Sequence, residues 1–267
     1  MRGMPLPFGL PFAPPWASLL VRLLVHLLVR LSAGLRALLP VVIGLTVTAE
    51  AVARPDLART DARQLRADEI ASCLPGEQQT WGDGRDRAAL ASPLRLAYRH
   101  DGAPPWFSST LVMQSLLRAA EAWSACGVPA FVVPAVPGRP LAAGAVLVYW
   151  DDPASAGTFG LAHLSQRTLA LGAGAFQLLR ERNPRHPADE VLQMVISHEM
   201  GHFFGLMGHS RRCVDVMSYY TDAQGQTCST RDGGSYRRLP EYRALLPTAC
   251  DIARCRAANG VPAVDPK

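Results

Sequence analysis

Alternating apolar and polar residues in the middle of the chain predict short strands, and a wider apolar spacing predicts a helix after the first strand. Residues 94–98 alternate as a half-buried strand does. From about Ser109 to Ala125, apolar residues recur every three to four positions, with a serine at the start and Gly127 past the end, which indicates a capped helix. Further strands are predicted at 131–133, 145–150, 158–164 and 167–172, the last two as a pair.

A second long helix is predicted after Pro187, ending at about Phe204. Asp189 and Glu190 in its first turn complement the positive end of the helix dipole. A shorter helix is predicted around 60–72, in a polar and arginine-rich stretch. We therefore expect an α+β domain over residues 94–267, preceded by an N-terminal arm over 54–93.

The first 53 residues differ in charge from the rest of the chain. They hold four arginines and one glutamate, a net +3 of the formal +5, which leaves about +2 for residues 54–267. No block of Lys and Arg follows them, so the basic balance does not indicate a nucleic-acid partner. The whole chain, 49% hydrophobic and 18% charged, has an ordinary globular composition.

An export signal is predicted over residues 1–53. Residues 37–49 form an uncharged apolar run behind Arg36, and a small-x-small cleavage pattern ends at Ala53. The run is too short to favour a spanning helix, so we expect a periplasmic or secreted protein. The alternative is an uncleaved leader that anchors the protein to the membrane, with the basic stripe of residues 19–31 on its surface.

The cysteines agree with export, because all six lie after the leader and can form disulfides in an oxidising compartment. Six cysteines allow fifteen pairings. Local spacing favours the pairs Cys213–Cys228 and Cys250–Cys255, which leaves Cys73–Cys126 by elimination.

His198 and His202 are candidate ligands of a metal ion. Four residues apart on a helix, they lie one above the other. Glu199, next to the first histidine, can take a proton from water that the metal activates. Gly205 can end the helix in the left-handed conformation and turn the chain, so that His209 returns to the same ion. Three neutral imidazoles leave a fourth position open, which is typical of a catalytic zinc site.

This pattern resembles the metzincin metallopeptidases, whose motif HExxHxxGxxH is followed by a tight turn with a methionine beneath the zinc. Met217 takes the methionine's place here. Ser210, after the last histidine, is similar to the matrixin branch, whereas Met217 followed by Ser218 and Tyr219 is similar to serralysins and astacins.

The third histidine departs from the family spacing by one residue. The motif puts it at position 208, where this chain has Gly208, and His209 follows. Glycine accepts backbone angles that other residues do not, so Gly208 is expected to absorb the insertion.

The resemblance implies a zinc-dependent endopeptidase. Its fold would be a twisted mixed sheet with an active-site helix and a C-terminal subdomain containing the methionine turn. His198, His202 and His209 would hold one zinc ion, and Glu199 would act as the general base in peptide hydrolysis.

The resemblance also implies roles around the metal. Tyr219 would donate to the oxyanion of the intermediate, with an ordinary core tyrosine as the alternative, and Met217 would form an apolar floor. An extended peptide or protein substrate would pair with the strand near residues 160–164. Asp151 and Asp152 are candidate ligands of a calcium ion.

Two other functions stay open at this point. A zinc amidase acting on cell-wall peptides could use the same ligands and base. A catalytically silent, secreted zinc-binding or interaction domain could keep the site and have lost turnover through the displaced His209. No nucleic-acid partner is expected, and membrane contact is expected only through an uncleaved leader.

Overall fold

The computed structural model describes residues 50–262, with side chains from residue 61 onwards. The described residues from Leu57 onwards belong to one compact unit. The leader predicted over residues 1–53 lies almost wholly outside the described residues. Within residues 50–262, no helix is both long and apolar enough to cross a membrane.

The regular structure of the described residues consists of short strands and helices of ten to 22 residues. The helices are α1 (Glu50–Ala71), α2 (Ser109–Ser124), α3 (Ala173–Arg182), α4 (Ala188–Phe203) and α5 (Ala249–Ala258), with a 3-10 turn at Tyr236–Arg238. The strands are β1 (Leu94–Tyr98), β2 (Ala130–Pro134), β3 (Val146–Trp150), β4 (Gly160–His163) and β5 (Thr168–Leu171).

The five strands form one mixed sheet in the order β2-β1-β3-β5-β4. The strands β2, β1, β3 and β5 are parallel to one another, and β4 pairs antiparallel with β5 at the sheet edge. The predicted pairing of residues 158–164 with 167–172 is confirmed as the β4–β5 hairpin. A mixed sheet with separate helices is compatible with the predicted α+β class.

The core lies between the sheet and the helices α2 and α4. Trp123 of α2 is fully buried, and its indole N–H donates to the carbonyl of Ser197 in α4 at 2.9 Å. The Trp123 ring also stacks on Phe204, with 5.6 Å between centroids. These contacts hold α4 against α2, and each large apolar side chain so buried stabilises the fold by about 1.5–3 kcal/mol.

Two helices were not predicted from the sequence. α3 follows β5 directly, and only Phe176 of its ten residues is buried, so it lacks a clear apolar stripe. α5 begins with a capping box in which the Thr248 and Asp251 side chains each accept a hydrogen bond from the other's backbone N–H. That Thr-x-x-Asp pattern is visible in the sequence and would have indicated the helix.

The disulfides correct the predicted pairing at four of the six cysteines. Cys213–Cys228 forms as predicted, with 5.0 Å between Cα atoms. The predicted pairs Cys250–Cys255 and Cys73–Cys126 are wrong, and the bonded pairs are Cys73–Cys250 and Cys126–Cys255. Both Cys250 and Cys255 lie on α5, where five residues turn the side chains about 140° apart. They therefore face different neighbours, α1's C-terminal side and the end of α2.

The end of α1 is bonded to the C-terminal half of the chain. Arg66 donates to the carbonyls of Tyr242 at 2.8 Å and Arg243 at 2.7 Å. The buried Glu69 carboxylate accepts from the Arg231 backbone N–H at 2.6 Å and from the Tyr242 hydroxyl at 2.5 Å. The N-terminal arm is thus packed against the part of the chain that follows the HExxH segment.

Candidate metal centre

The helix α4 presents His198 and His202 on one side, because four residues make slightly more than one turn. Their ring centroids are 5.2 Å apart. The opposite side of the helix is buried in the core through residues such as Leu192 and Ile196. Packing therefore fixes the rotation of α4 and leaves the two imidazoles facing the same space.

His209 reaches this space because the chain turns sharply after α4. Gly205 has a φ of 103°, and a side chain at this position would overlap the carbonyl of Arg87. The His209 ring lies 5.1 Å from that of His198 and 5.2 Å from that of His202. One nitrogen from each of the three rings lies within 4.8 Å of the other two. The structure thus brings the three predicted ligands together despite the extra residue.

Each histidine turns its Nδ1 atom toward an oxygen acceptor. The acceptors are the carbonyl of Val216 for His198, the carbonyl of Leu206 for His202 and the carboxylate of Asp83 for His209, each at 2.7 Å. Because these oxygen atoms carry no hydrogen and can only accept, each ring must have its proton on Nδ1. The lone pair of Nε2 is therefore free on all three rings.

The free nitrogen atoms fit a cation. Nε2 of His209 is buried and has no hydrogen-bond partner among the described residues. Burial, followed by the neighbouring histidines, holds the pKa of His198 well below its usual range. Burial, with His209 next, lowers the pKa of His202 to about 4. Burial also lowers the pKa of His209. All three rings are therefore neutral at pH 7, and three neutral imidazoles are a ligand set that zinc prefers.

Glu199 lies beside the histidines, buried between α4 and the edge strand. Its Oε2 accepts from the backbone N–H of Ala162 in β4 at 2.9 Å. Burial raises the pKa of Glu199 to about 7, against the lowering effect of this hydrogen bond. The carboxyl group is thus placed where a proton could be exchanged near neutral pH.

Met217 packs against α4, and Tyr219 lies beside the histidine cluster. Met217 is fully buried, and its sulfur fills the space next to Gly201 of α4. The Tyr219 ring stacks on His209, with 3.9 Å between centroids, and 39% of the residue is exposed. Burial raises the pKa of Tyr219 to about 12, so its hydroxyl keeps its proton at neutral pH. Tyr219 thus presents a protonated hydroxyl beside the cluster.

The other predicted ion site has its carboxylates engaged in backbone contacts. Asp151 accepts from the N–H of Ala154, and Asp152 accepts from the N–H of Gly174, each at 2.8 Å. Among the described residues, neither carboxylate belongs to a group of three potential metal ligands. These contacts give no support to the calcium prediction. The second such group, Cys73, Glu77 and Cys250, has both cysteines in a disulfide.

Asp83 is a site residue that the sequence reasoning missed. Its carboxylate accepts from both Nδ1 and the backbone N–H of His209, at 2.7 and 2.9 Å. The two residues are 126 positions apart. Asp83 is one of several aspartates in a polar, arginine-rich arm, and nothing in the local sequence distinguishes it as the partner of His209.

Comparisons with known proteins do not extend these observations. No family model and no curated protein matches the chain. One solved structure with some similarity is described as the GM1 bound form of the ECX AB5 holotoxin. It is 13% identical, and the match covers 71% of this chain and 92% of that one with a TM-score of 0.38.

Proposed function

We propose that this protein is an exported, zinc-dependent endopeptidase of metzincin type. The observation that carries the proposal is the convergence of three neutral imidazoles, each with Nδ1 bonded to an acceptor and Nε2 free. Such a set satisfies the requirements of a three-histidine zinc site with an open fourth position. Three disulfides support an oxidising compartment outside the cytoplasm.

His198, His202 and His209 would hold the ion through their Nε2 atoms. A bound zinc ion supplies Lewis-acid polarisation of a peptide carbonyl and of water. The buried position of the three rings keeps them neutral, so that protons do not compete with the metal at neutral pH.

Glu199 would act as the general base and then return the proton to the leaving nitrogen. Its pKa near 7 matches a group that both takes up and releases protons at neutral pH. The hydrogen bond from Ala162 orients the carboxylate and stabilises its charged form. Tyr219 keeps its proton and stacks on His209, which suits a hydrogen-bond donor to the developing oxyanion.

The edge strand β4 would bind the substrate as an additional strand. It ends the sheet, and its other side pairs with β5. The Ala162 N–H points to Glu199, so the Ala162 carbonyl also faces away from β5. A peptide paired along this edge would pass the base and the histidines in an extended conformation.

The test combines zinc content with peptidase activity. We expect about one zinc ion per purified chain, as for other three-histidine sites, and cleavage of casein or quenched peptides. Glu199→Ala should keep the zinc and lose activity, because it removes the base and none of the ligands. Glu121→Ala, on the exposed side of α2, is the matched control and should behave as wild type.

Four results would contradict the proposal or one part of it. A purified wild-type protein without zinc would refute the metal centre. Zinc without turnover of any peptide would favour the silent interaction domain. Turnover restricted to cell-wall peptide amides would favour the amidase. Activity that survives Glu199→Ala would refute the role of the base alone.

A further inference from the structure

We infer that Asp83 is a positioning residue that sets the tautomer of His209 and thereby directs its Nε2 toward the metal. The expected effect on metal binding rests on the proposed zinc site. The proton position in the metal-free protein can nevertheless be measured by itself. The N-terminal arm, which precedes the sheet in the chain, would thus orient the third proposed ligand.

Asp83 contacts His209 at two donors. One carboxylate oxygen accepts from the ring Nδ1 at 2.7 Å, and the other accepts from the backbone N–H at 2.9 Å. The imidazole of His209 is almost buried, with 10% of its side chain exposed, whereas 37% of the Asp83 side chain is exposed. The pair therefore fixes both the ring and the backbone of the third candidate ligand.

The segment 79–90 holds Asp83 in place by running beside the segment 203–211, which contains His209. Backbone N–H groups of Trp81, Arg87 and Leu90 donate to carbonyls of the segment 203–211 at 2.9–3.0 Å. In the reverse direction, a backbone N–H of that segment donates to the carbonyl of Gln79 at 3.0 Å. The Asp83 carboxylate is thus presented by a segment bonded at both ends.

Asp86 lies in the same segment and offers a contrast. It accepts from the backbone N–H groups of Met207 and Gly208, at 2.9 and 3.1 Å. Arg254 donates to Asp86 at 2.8 Å and to the Gly208 carbonyl at 2.6 Å. Asp86 therefore supports the loop backbone, whereas Asp83 alone of these two carboxylates contacts the His209 ring.

The donor count explains why a carboxylate is needed at position 83. Both groups of His209 that face Asp83 are donors, and a carboxylate offers two acceptors. An amide offers one acceptor and one donor. With its NH2 group toward the ring, Nδ1 must accept and the proton moves to Nε2, which can no longer bind a metal. In the other orientation, the NH2 group faces the backbone N–H, and two donors cannot form a hydrogen bond with each other.

The test compares Asp83→Asn with Asp86→Asn, which makes the same change of charge and size in the same segment. The histidine tautomers of the metal-free proteins are read by long-range 15N–1H NMR, and zinc affinity is measured by competition with a chelator. We expect wild type and Asp86→Asn to carry the His209 proton on Nδ1. Asp83→Asn should lose this preference and bind zinc about ten- to a hundredfold more weakly, as for other carboxylate–histidine–metal contacts.

Several outcomes would overturn the inference. A His209 proton on Nε2 in the wild type would do so without any variant, even if a variant failed to fold. Wild-type tautomer and zinc affinity in Asp83→Asn would do so as well. An equal tautomer change in Asp86→Asn would assign the effect to the loop as a whole. A wild type that binds no zinc refutes the proposed function, and the tautomers still decide the role of Asp83.

Discussion

Gly201 shows how closely α4 is packed at the level of a single residue. A methyl group at this position would come within 2.8 Å of the Trp123 ring and still closer to the sulfur of Met217, both fully buried. Because neither neighbour can move into solvent, Gly201→Ala should lower the free energy of unfolding by about 1–3 kcal/mol. Urea unfolding measures the effect. Gly174→Ala on α3, which meets only the end of the Asp152 side chain, is the control. Equal stability of both variants would contradict the packing argument.

The extra residue Gly208 provides a separate test of His209 as the third proposed ligand. Its N–H donates to Asp86 and its carbonyl accepts from Arg254, so both of its backbone groups are engaged. Deletion of Gly208 should break these contacts and displace His209, with a steep loss of zinc affinity. His209→Ala should remove a metal bond outright and abolish activity. Chelator competition and a peptidase assay measure both effects.

The controls for these two variants separate the loop from the ligand. Normal zinc affinity after deletion of Gly208 would show a simple insertion with no structural role. Full zinc occupancy and wild-type turnover in His209→Ala would show that another group serves as the third ligand.

At the scale of elements, a buried acidic cluster joins the methionine turn to α5. Asp215 accepts from Thr248 and Ser210, each at 2.6 Å, and from Arg212 at 3.1 Å. Asp251, in the first turn of α5, accepts from the backbone N–H of Val216 at 2.9 Å. The residue before Met217 is thus held by a helix that begins more than thirty positions later.

This cluster predicts a dependence of stability on pH. Burial, with the Asp251 carboxylate next, raises the pKa of Asp215 to about 7, whereas an unfolded aspartate titrates near 3.9. The folded protein therefore holds this proton more tightly. The resulting stabilisation is fully present below about pH 4 and is lost as the pH rises through about 7.

Asp215→Asn tests the prediction, because an amide of the same shape does not titrate. Between about pH 5 and pH 8 the wild type should lose at least about 1 kcal/mol more unfolding free energy than the variant. Urea titrations of both proteins measure this difference, and contributions from titrating groups outside the Asp215–Asp251 cluster cancel. A parallel pH dependence in wild type and Asp215→Asn would contradict it.

The disulfides connect elements that are distant in the chain. Cys73–Cys250 links the end of α1 to α5 across 177 positions, and Cys126–Cys255 links the end of α2 to α5 across 129. Mass mapping of non-reduced peptides should find these two pairs and Cys213–Cys228. Peptides that link Cys250 to Cys255 would contradict the structure and restore the expectation from local spacing.

At the scale of the whole molecule, contacts of the N-terminal arm bear on the predicted cleavage near Ala53. Arg66, Glu69 and Cys73 all bond to the C-terminal half of the chain. Cleavage near Ala53, in the first turn of α1, would spare these contacts, whereas cleavage after Cys73 would remove all of them. N-terminal sequencing of exported protein should therefore find Arg54 or Pro55 first. An intact chain in the membrane fraction would instead favour the uncleaved anchor.

The sequence by itself determined what depends on local periodicity. The alternation in residues 94–98 and the apolar spacing of α2 and α4 predicted those elements, because side-chain direction repeats every two residues in a strand and every 3.6 in a helix. For the same reason, two histidines four residues apart on α4 had to face the same side, with Glu199 next to them. Their arrangement follows from helix geometry and needs no contact with the rest of the fold.

Only the tertiary structure decided the contacts between distant parts of the chain. The Asp83 partner of His209, 126 positions earlier, depends on how the segment 79–90 packs. The partners of Cys250 and Cys255 depend on how the ends of α1 and α2 pack against α5. Sequence spacing suggested local disulfides, but a helix turns two cysteines five residues apart to different sides. Local pattern sets the direction of each side chain along its own element, whereas the packing of elements sets which side chains meet.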